Sequence, residues 1–338
     1  MKIIVDAMGG DFAPGPQVEG SVRAARELGV EIVLVGKQDV LQQKLKELGY
    51  SEGKITIRDA ADIITNDDEP AKALRRKKDA SIVVAANMLK NGEGDGLVST
   101  GATGGVLAAG LLIVGRIEGV LRPALAPVLP TDTGPALLVD GGANADCKAA
   151  NLLQFGIMGS VYAGKVLGKE NAKVALVNIG AEEHKGNDVT RAAYEMLKKA
   201  PINFTGNIEG REIMDGAADV IVCDGFVGNV ILKLTEGLAA TLLRNIKNMF
   251  LKNFATKLCA LGMKGPFSEF KKKMDYTEYG GALLLGLKHP VIKGHGSSDA
   301  KAIYSAIRQA EKFVSAGVVE QIKEDLEKME ETQNGIES

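Results

Sequence analysis

The sequence predicts a three-layer α/β protein, a mostly parallel sheet with helices on both faces. Three observations carry that expectation. Short, unbroken aliphatic runs recur along the chain, stretches patterned at helical spacing separate them, and several runs end in polar, glycine-rich loops. Strands without alternation are buried on both sides, and strands alternating with helices build parallel sheets.

Taken in order, the strand candidates are residues 3–5, 32–35, 55–57, 97–99, 136–139, 174–178 and 220–223. Amphipathic stretches at 16–28, 40–48, 149–167 and 188–199 lie between them. The first run ends at Asp6-Ala7-Met8-Gly9-Gly10-Asp11, the fifth at Asp140-Gly141-Gly142-Ala143-Asn144, the sixth at Asn178-Ile179-Gly180-Ala181-Glu182 and the seventh at Asp224-Gly225-Phe226-Val227-Gly228-Asn229. A lone Asp or Asn after a strand is commonly an N-cap or turn former. Several together at the carboxyl ends of the strands mark the edge where open α/β sheets hold ligands. Asp6, Asp140, Asn144, Asn178 and Asp224 are therefore candidate site residues.

The fourth run leads into Ser99-Thr100-Gly101-Ala102-Thr103-Gly104-Gly105, with a helix expected to begin near Gly105. Backbone N–H groups at a helix start favour an anion, and the hydroxyls of Ser99, Thr100 and Thr103 add donors. The alternative is a tight strand-to-helix turn whose glycines serve packing. The spacing matches neither the dinucleotide fingerprint nor a P-loop. The apolar run 106–114 is too short to span a bilayer and reads as a core helix.

Composition narrows the function classes. The 338 residues carry 41 Lys and Arg against 43 Asp and Glu, so nothing in the net charge of −2 pulls the chain toward nucleic acid. With aromatics at 4% and no tryptophan, base-stacking platforms are disfavoured too. Cys147, Cys223 and Cys259 lack metal-ligand spacing and read as reduced, mostly buried thiols. The opening Met1-Lys2-Ile3-Ile4-Val5-Asp6 reads as a strand, too short and too soon interrupted for a signal peptide, so the expected location is cytoplasmic. A single unit over 1–338 is expected, with a helical hairpin projecting at about 240–275 and a charged C-terminal helix at about 318–332 that frays.

In that arm, Leu242, Ile246, Met249, Phe250, Phe254, Leu258 and Leu261 recur at helical spacing, and Gly262, Gly265 and Pro266 are expected to break it before a second helix carrying Phe267, Phe270 and Met274. The segment 258–263 is apolar on every side. Such a tip docks on another chain, touches a membrane surface or is buried in its own subunit's core. Lys271, Lys272 and Lys273 crowd the same arm, and Arg75, Arg76, Lys77 and Lys78 form a second cluster. Each cluster is either a solvated face or a patch for an acidic protein or anionic lipid.

No nucleophile elbow and no metal motif is present. Of three histidines, His295 stands out, since Gly294-His295-Gly296-Ser297-Ser298-Asp299 is a polar loop opening a helix. With Glu69-Pro70, Gly206-Asn207-Ile208-Glu209-Gly210 and the segments above, this order of motifs resembles the bacterial phosphate acyltransferase family, which makes acyl phosphate from acyl-acyl carrier protein and inorganic phosphate. The resemblance runs from residue 6 to residue 298. It implies a fold similar to isocitrate and isopropylmalate dehydrogenases and to phosphotransacetylases. It also implies a homodimer that feeds phospholipid synthesis and associates peripherally with the inner face of the membrane.

Phosphate is already an oxyanion nucleophile, so the implied chemistry requires no activated serine or cysteine, no metal and no nucleotide. It requires phosphate held against a thioester carbonyl and donors for the developing oxyanion. Ser99, Thr100, Gly101, Thr103, Gly104, Gly105, Ser297 and Ser298 are the candidate phosphate and oxyanion contacts. Lys185, His295 and Asn229 are candidates for charge stabilisation or for protonating the departing thiolate. Carrier proteins of this class are acidic, which gives Lys271, Lys272, Lys273, Arg75, Lys77 and Lys78 a purpose. Leu258, Leu261 and Met263 would then contact the membrane, handing the product to a membrane-bound acyltransferase. The alternatives are a phosphotransacetylase acting on a short acyl-coenzyme A, a dehydrogenase of similar fold, whose metal-binding aspartates and arginine set are not found, and a non-catalytic lipid- or carrier-binding regulator.

Overall fold

The structure, a computed structural model, describes residues 1–273 and 280–336, with side chains over 1–270 and 280–329. The chain opens with β1 (Lys2–Asp6), α1 (Gly15–Glu27), β2 (Glu31–Gly36), α2 (Gln38–Glu47), β3 (Ile55–Asp59), α3 (Pro70–Arg76), α4 (Ser81–Lys90), β4 (Gly96–Ser99) and α5 (Thr103–Val114). It continues through β5 (Ala124–Ala126), β6 (Val128–Thr131), β7 (Gly134–Val139), α6 (Ala149–Lys165), β8 (Val174–Asn178), α7 (Asp188–Lys199), β9 (Phe204–Glu209), α8 (Glu212–Asp215) and β10 (Val220–Val222). Last come α9 (Gly225–Phe250), α10 (Phe254–Lys273), β11 (Ala282–Leu285), β12 (Val291–Lys293), α11 (Ala300–Ser315) and α12 (Val318–Ile336).

All seven expected strands form, and they divide between two sheets. One sheet runs β3-β2-β1-β4-β12-β11-β5 and the other β6-β7-β10-β8-β9. The chain changes sheet at Pro127, between β5, which pairs with β11, and β6, which pairs with β7. Proline has no N–H to give a ladder, so it suits a point where pairing changes partner. The short strands β5, β6, β11 and β12 carry too little pattern to be distinguished from loop by sequence. One buried cluster nonetheless joins the sheets, running from Ile3 and Leu34 through Phe155 and Tyr162 of α6 to Leu137 and Val220. Helix α6 is buried on nearly every side, as its unbroken apolar composition requires.

Strand order decides where the loops fall. In the first sheet β1, β4 and β12 are parallel neighbours, with Asp6 opposite Ser99 and Ser99 opposite Lys293. Their carboxyl-end loops therefore lie side by side. In the second sheet β7, β10 and β8 are parallel neighbours, which aligns the loops at Asp140, Asp224 and Asn178.

The arm differs from expectation in its turn. The break lies at 251–253, and α10 runs through Gly262, Gly265 and Pro266 without interruption. Two interactions override the local helix breakers. Asn253 and Thr256 cap α10 reciprocally, the Thr256 N–H donating to Asn253 Oδ1 at 2.9 Å and the Asn253 N–H to Thr256 Oγ1 at 3.0 Å. Beyond the proline, Phe267 packs edge-on against Phe250 of α9, with ring centroids 5.8 Å apart. Leu258, Leu261 and Met263 consequently lie within α10 rather than at a tip, and all three are exposed, not buried in the subunit core. Cys259, on the same helix, is also exposed, against the expectation of buried thiols. Lys271, Lys272 and Lys273 end α10 with their side chains outside the described residues, and Met274 lies outside them altogether. Helix α12 is amphipathic and buries Val318, Ile322, Leu326 and Met329.

Candidate functional site

The loops after β1 and β4 hold each other. The Ser99 hydroxyl donates to Asp6 Oδ2 at 2.7 Å and accepts from the Gly101 N–H at 3.1 Å. The Thr100 hydroxyl donates to the Gly9 carbonyl at 2.7 Å, and Gln17 Nε2 donates to both of those oxygens. Glycine is required at position 9, where a Cβ would stand 2.6 Å from the Gly101 nitrogen. Burial pushes the Asp6 carboxyl above its usual range, while the hydroxyls of Ser81 and Ser99 and the backbone N–H groups of Met8 and Gly9 hold it down. The Ser99 and Thr100 hydroxyls are therefore buried and committed within the loop pair. The β12 loop closes over both, the Asp11 N–H donating to the Gly296 carbonyl at 2.8 Å.

Across the molecule, Asp140 organises its own loop. Its Oδ1 accepts from the N–H groups of Leu125, Gly142 and Ala143 at 2.9, 3.0 and 3.0 Å. Its Oδ2 accepts from the Asn144 N–H at 2.7 Å and from Asn144 Nδ2 at 2.9 Å. Leu125 belongs to the other sheet, so this carboxylate joins the two. Burial raises its carboxyl, and the hydrogen bonds from Ala143, Asn144, Gly142 and Leu125 oppose that rise.

Asp224 caps α9, accepting from the Val227 N–H at 2.8 Å. The first turn of α9 then lies directly on the Asp140 loop, because a Cβ at Gly228 would fall 1.8 Å from the Asp140 carbonyl oxygen. That approach places Asn229 beside Gly142. Cys223 and Cys147 flank the same loop, and burial first, then the nearby Asp140 charge, raises both thiols, Cys147 to about 11. Thiols held so high stay protonated and are poor nucleophiles.

Between the sheets lies a cavity of about 320 Å³. One part of its wall is polar, with Thr103, Gly142, Asn229, Lys233, Lys293, His295, Ser297 and Ser298. Glu236 and Asp299 also reach the wall, and Leu125, Pro127, Val128, Leu129, Leu232 and Ala302 form its apolar part. His295 Nδ1 accepts from the Ser297 N–H at 3.2 Å, and the Ser297 hydroxyl lies 2.8 Å from it. A backbone N–H can only donate, so the proton of the neutral ring sits on Nε2. Lys233 pairs with Glu236 at 2.8 Å. Lys293 donates to the Gly294 carbonyl, and burial, then repulsion from Lys233, lowers its amine to about 8.

The structure thus brings Thr103, Asn229, His295, Ser297 and Ser298 to one cavity. Gly101, Gly104 and Gly105 are not among the residues lining it. A Cβ at Gly104 would meet Pro70 of α3 at 2.7 Å and one at Gly105 would meet Ile64 at 3.2 Å, so these two glycines serve the packing of α5. Lys185 stands elsewhere, after β8, two strands removed from β7, within 4.0 Å of Glu182. Asn178 fixes that same loop by donating to the Lys185 carbonyl at 3.1 Å. Of the second basic cluster, Lys77 is engaged internally, bonded to Asp68 at 2.9 Å and to the Ile63 carbonyl, whereas Arg75 and Lys78 are exposed. Lys233 and Lys293 were not legible as site residues. The available signal was Val291-Ile292-Lys293-Gly294, an apolar run ending in a polar glycine loop like the other five.

Comparison with known proteins agrees with this architecture. A family model described as fatty acid synthesis protein matches residues 1–321. A phosphate acyltransferase of Alkaliphilus oremlandii is 53% identical, over 96% of this chain and 97% of its own. One from Thermoanaerobacterium thermosaccharolyticum is 50% identical, over 97% of each. Among solved structures, a phosphotransacetylase from Streptococcus pyogenes superposes with a TM-score of 0.60 at 18% identity, covering 93% of this chain and 94% of its own. That likeness establishes the fold.

The Asp140 joint yields a direct expectation. In Asp140→Asn an amide NH2 replaces one acceptor oxygen and faces N–H donors, leaving either three or two of them unmatched. Stability should fall by about 2–4 kcal/mol, read from the urea midpoint. A midpoint equal to the wild type's refutes the joint.

Proposed function

The chain belongs to the fatty acid synthesis protein family and is an acyltransferase; on that premise we propose that it makes acyl phosphate from long-chain acyl-acyl carrier protein and inorganic phosphate. The observation that carries this reading is the divided wall of the inter-sheet cavity. Its polar side offers donors for an anion, and its apolar side suits an acyl group beside them.

The reaction is direct displacement. A phosphate oxygen attacks the thioester carbonyl carbon, the carbonyl oxygen takes up negative charge, and the carbon–sulfur bond breaks. The proton of hydrogenphosphate ends on the departing sulfur, so charge and atoms balance. Thr103, Ser297 and Ser298 are the proposed contacts for phosphate. The Asn229 amide and His295 Nε2–H are the proposed donors for the oxyanion, prearranged where water is displaced. The raised thiols of Cys147 and Cys223 support phosphate, not cysteine, as nucleophile.

The remaining partners follow from surface chemistry. Arg75 and Lys78, with Lys271, Lys272 and Lys273, are the proposed docking cations for the acidic carrier protein. Along α9, Phe226, Val230, Leu234, Leu238 and Leu242 recur every four residues and are exposed. Such an unpartnered stripe supports a homodimer packed through this helix. Although α9 has the length and apolar character to cross a membrane, its first turn is seated on the Asp140 loop. Leu258, Leu261 and Met263 of α10 are the proposed contact with the inner face of the membrane, where a membrane-bound acyltransferase would accept the product. The enzyme is then cytoplasmic and peripheral.

Phosphate-dependent release of free thiol from palmitoyl carrier protein tests the reaction. Turnover should require phosphate and exceed that on acetyl-coenzyme A. Preference for the short acyl-coenzyme A identifies a phosphotransacetylase, and no release identifies a binding protein. The triple substitution K271E/K272E/K273E should raise KM for the carrier substrate, with the effect fading as salt rises; an unchanged KM at low salt removes those lysines from the docking surface. L258D/L261D should lose binding to anionic vesicles yet remain dimeric, whereas L234D/L238D should become monomeric by light scattering. Retained vesicle binding in the first, or an intact dimer in the second, overturns the corresponding surface.

A further inference from the structure

Lys293 is the residue whose environment the folded chain does not explain. It ends β12 directly opposite Ser99, lines the cavity between the sheets and is partly buried. Its ammonium donates to the carbonyl of the next residue, Gly294, and among the described residues it has no ion pair with a carboxylate. The charged groups around it come from three directions. From α9 it meets Lys233, itself paired with Glu236. From β1 and its loop it meets Asp6, which is bonded to Ser99, and Asp11. From its own loop His295 and Asp299 share the cavity wall.

Holding a desolvated cation beside a second cation costs free energy, and burial together with Lys233 accordingly lowers the amine to about 8. An anion between the two lysines reverses that cost. Thr103, Ser297 and Ser298 supply hydroxyls around the same space. Among the described residues no carboxylate forms an ion pair with Lys293, and Glu236 is taken up by Lys233, so the counter-ion for Lys293 is left to a ligand.

We propose that Lys293 binds the phosphate nucleophile, its ammonium holding a non-attacking phosphate oxygen while Lys233 faces the same anion from α9. The inference rests on the reading that inorganic phosphate is the attacking group. Lys293 stays protonated throughout, so its contribution is to binding and orientation. It lies in the affinity for phosphate and not in that for the acyl thioester.

The test uses the full-length enzyme and inorganic phosphate as probe. Phosphate is titrated calorimetrically into wild type, K293M and K293R, and KM is measured separately for phosphate and for the acyl thioester. K293M should weaken phosphate binding by roughly tenfold to a hundredfold, as loss of a charge-assisted hydrogen bond does, with KM for the thioester unchanged. Wild-type affinity for phosphate should fall as pH rises through about 8, where the amine loses its proton. K293R, whose guanidinium stays charged, should keep phosphate binding and move that fall to higher pH.

Wild-type affinity in K293M, or an alkaline fall at the same pH in K293R, overturns the assignment. Should K293M fail to fold by circular dichroism, the K293R profile still decides. Wild type that binds no phosphate also overturns it. Phosphate binding that depends on Lys293 without acyl phosphate formation upholds the site and removes the proposed reaction instead.

Discussion

Everything about the cavity depends on one buried carboxylate. Asp140 is fully shielded from water, ends a strand of one sheet and accepts a hydrogen bond from Leu125 in the other. An unpaired carboxylate in that position would be prohibitively expensive. Five donors surround it, four of them from the loop it begins. The loop therefore has no freedom to open without stranding a charge. Because α9 rests on the Asp140 carbonyl through Gly228, the same constraint sets the start of the helix that carries Asn229 and Lys233. A structural interaction thus fixes the distance between the two walls of the site.

The polar loops at the strand ends divide the labour in a way that residue type alone does not reveal. Asp6, Ser99 and Thr100 look like ligand contacts, yet their side chains are consumed in bracing one loop against another. Asp224 is a helix cap, and Asn178 ties down its own turn. What remains for a ligand is the outer layer that these residues hold in place, namely Thr103, His295, Ser297, Asn229 and the two lysines. A site built this way is rigid before anything binds, which lowers the ordering cost of binding.

The sequence reading succeeded where a signal spans many residues and failed where it spans few. Seven strands were legible because each short aliphatic run is set off by a helical pattern before or after it. The strands β5, β6, β11 and β12 were not, since no helix separates β5 from β6 or β11 from β12. The division into two sheets turns on Pro127, a single residue whose neighbours are apolar on both sides. The hairpin turn was misplaced because Gly262, Gly265 and Pro266 are strong local breakers, while the Asn253–Thr256 cap and the Phe250–Phe267 contact are non-periodic and partly long-range. Of the residues lining the cavity, His295 and Asn229 were singled out because polar residues in a glycine loop are conspicuous. Lys293 escaped because a lysine at a strand end is ordinarily a solvated terminus, and only its place on the cavity wall sets it apart.

That place explains why the charge belongs on a strand instead of a loop. A helix N-terminus offers an anion only about half a unit charge, and that falls off within the first turn. The proposed displacement of a thiolate by phosphate would bring several negative charges into a space walled on one side by leucine, valine and proline. In such a medium backbone dipoles supply direction but too little charge, and a full cation is needed to offset the desolvation of phosphate. A lysine on a mobile loop would spend side-chain entropy to reach that point. At the end of β12, beside β4, whose Ser99 is pinned to Asp6 of β1, the backbone that carries Lys293 is held by the sheet itself. Lys233, on α9, lines the same cavity and is placed by Asp140 through the seating of that helix. The two cations are therefore positioned by two separate sheets, so the carboxylate that joins those sheets also sets the distance between them.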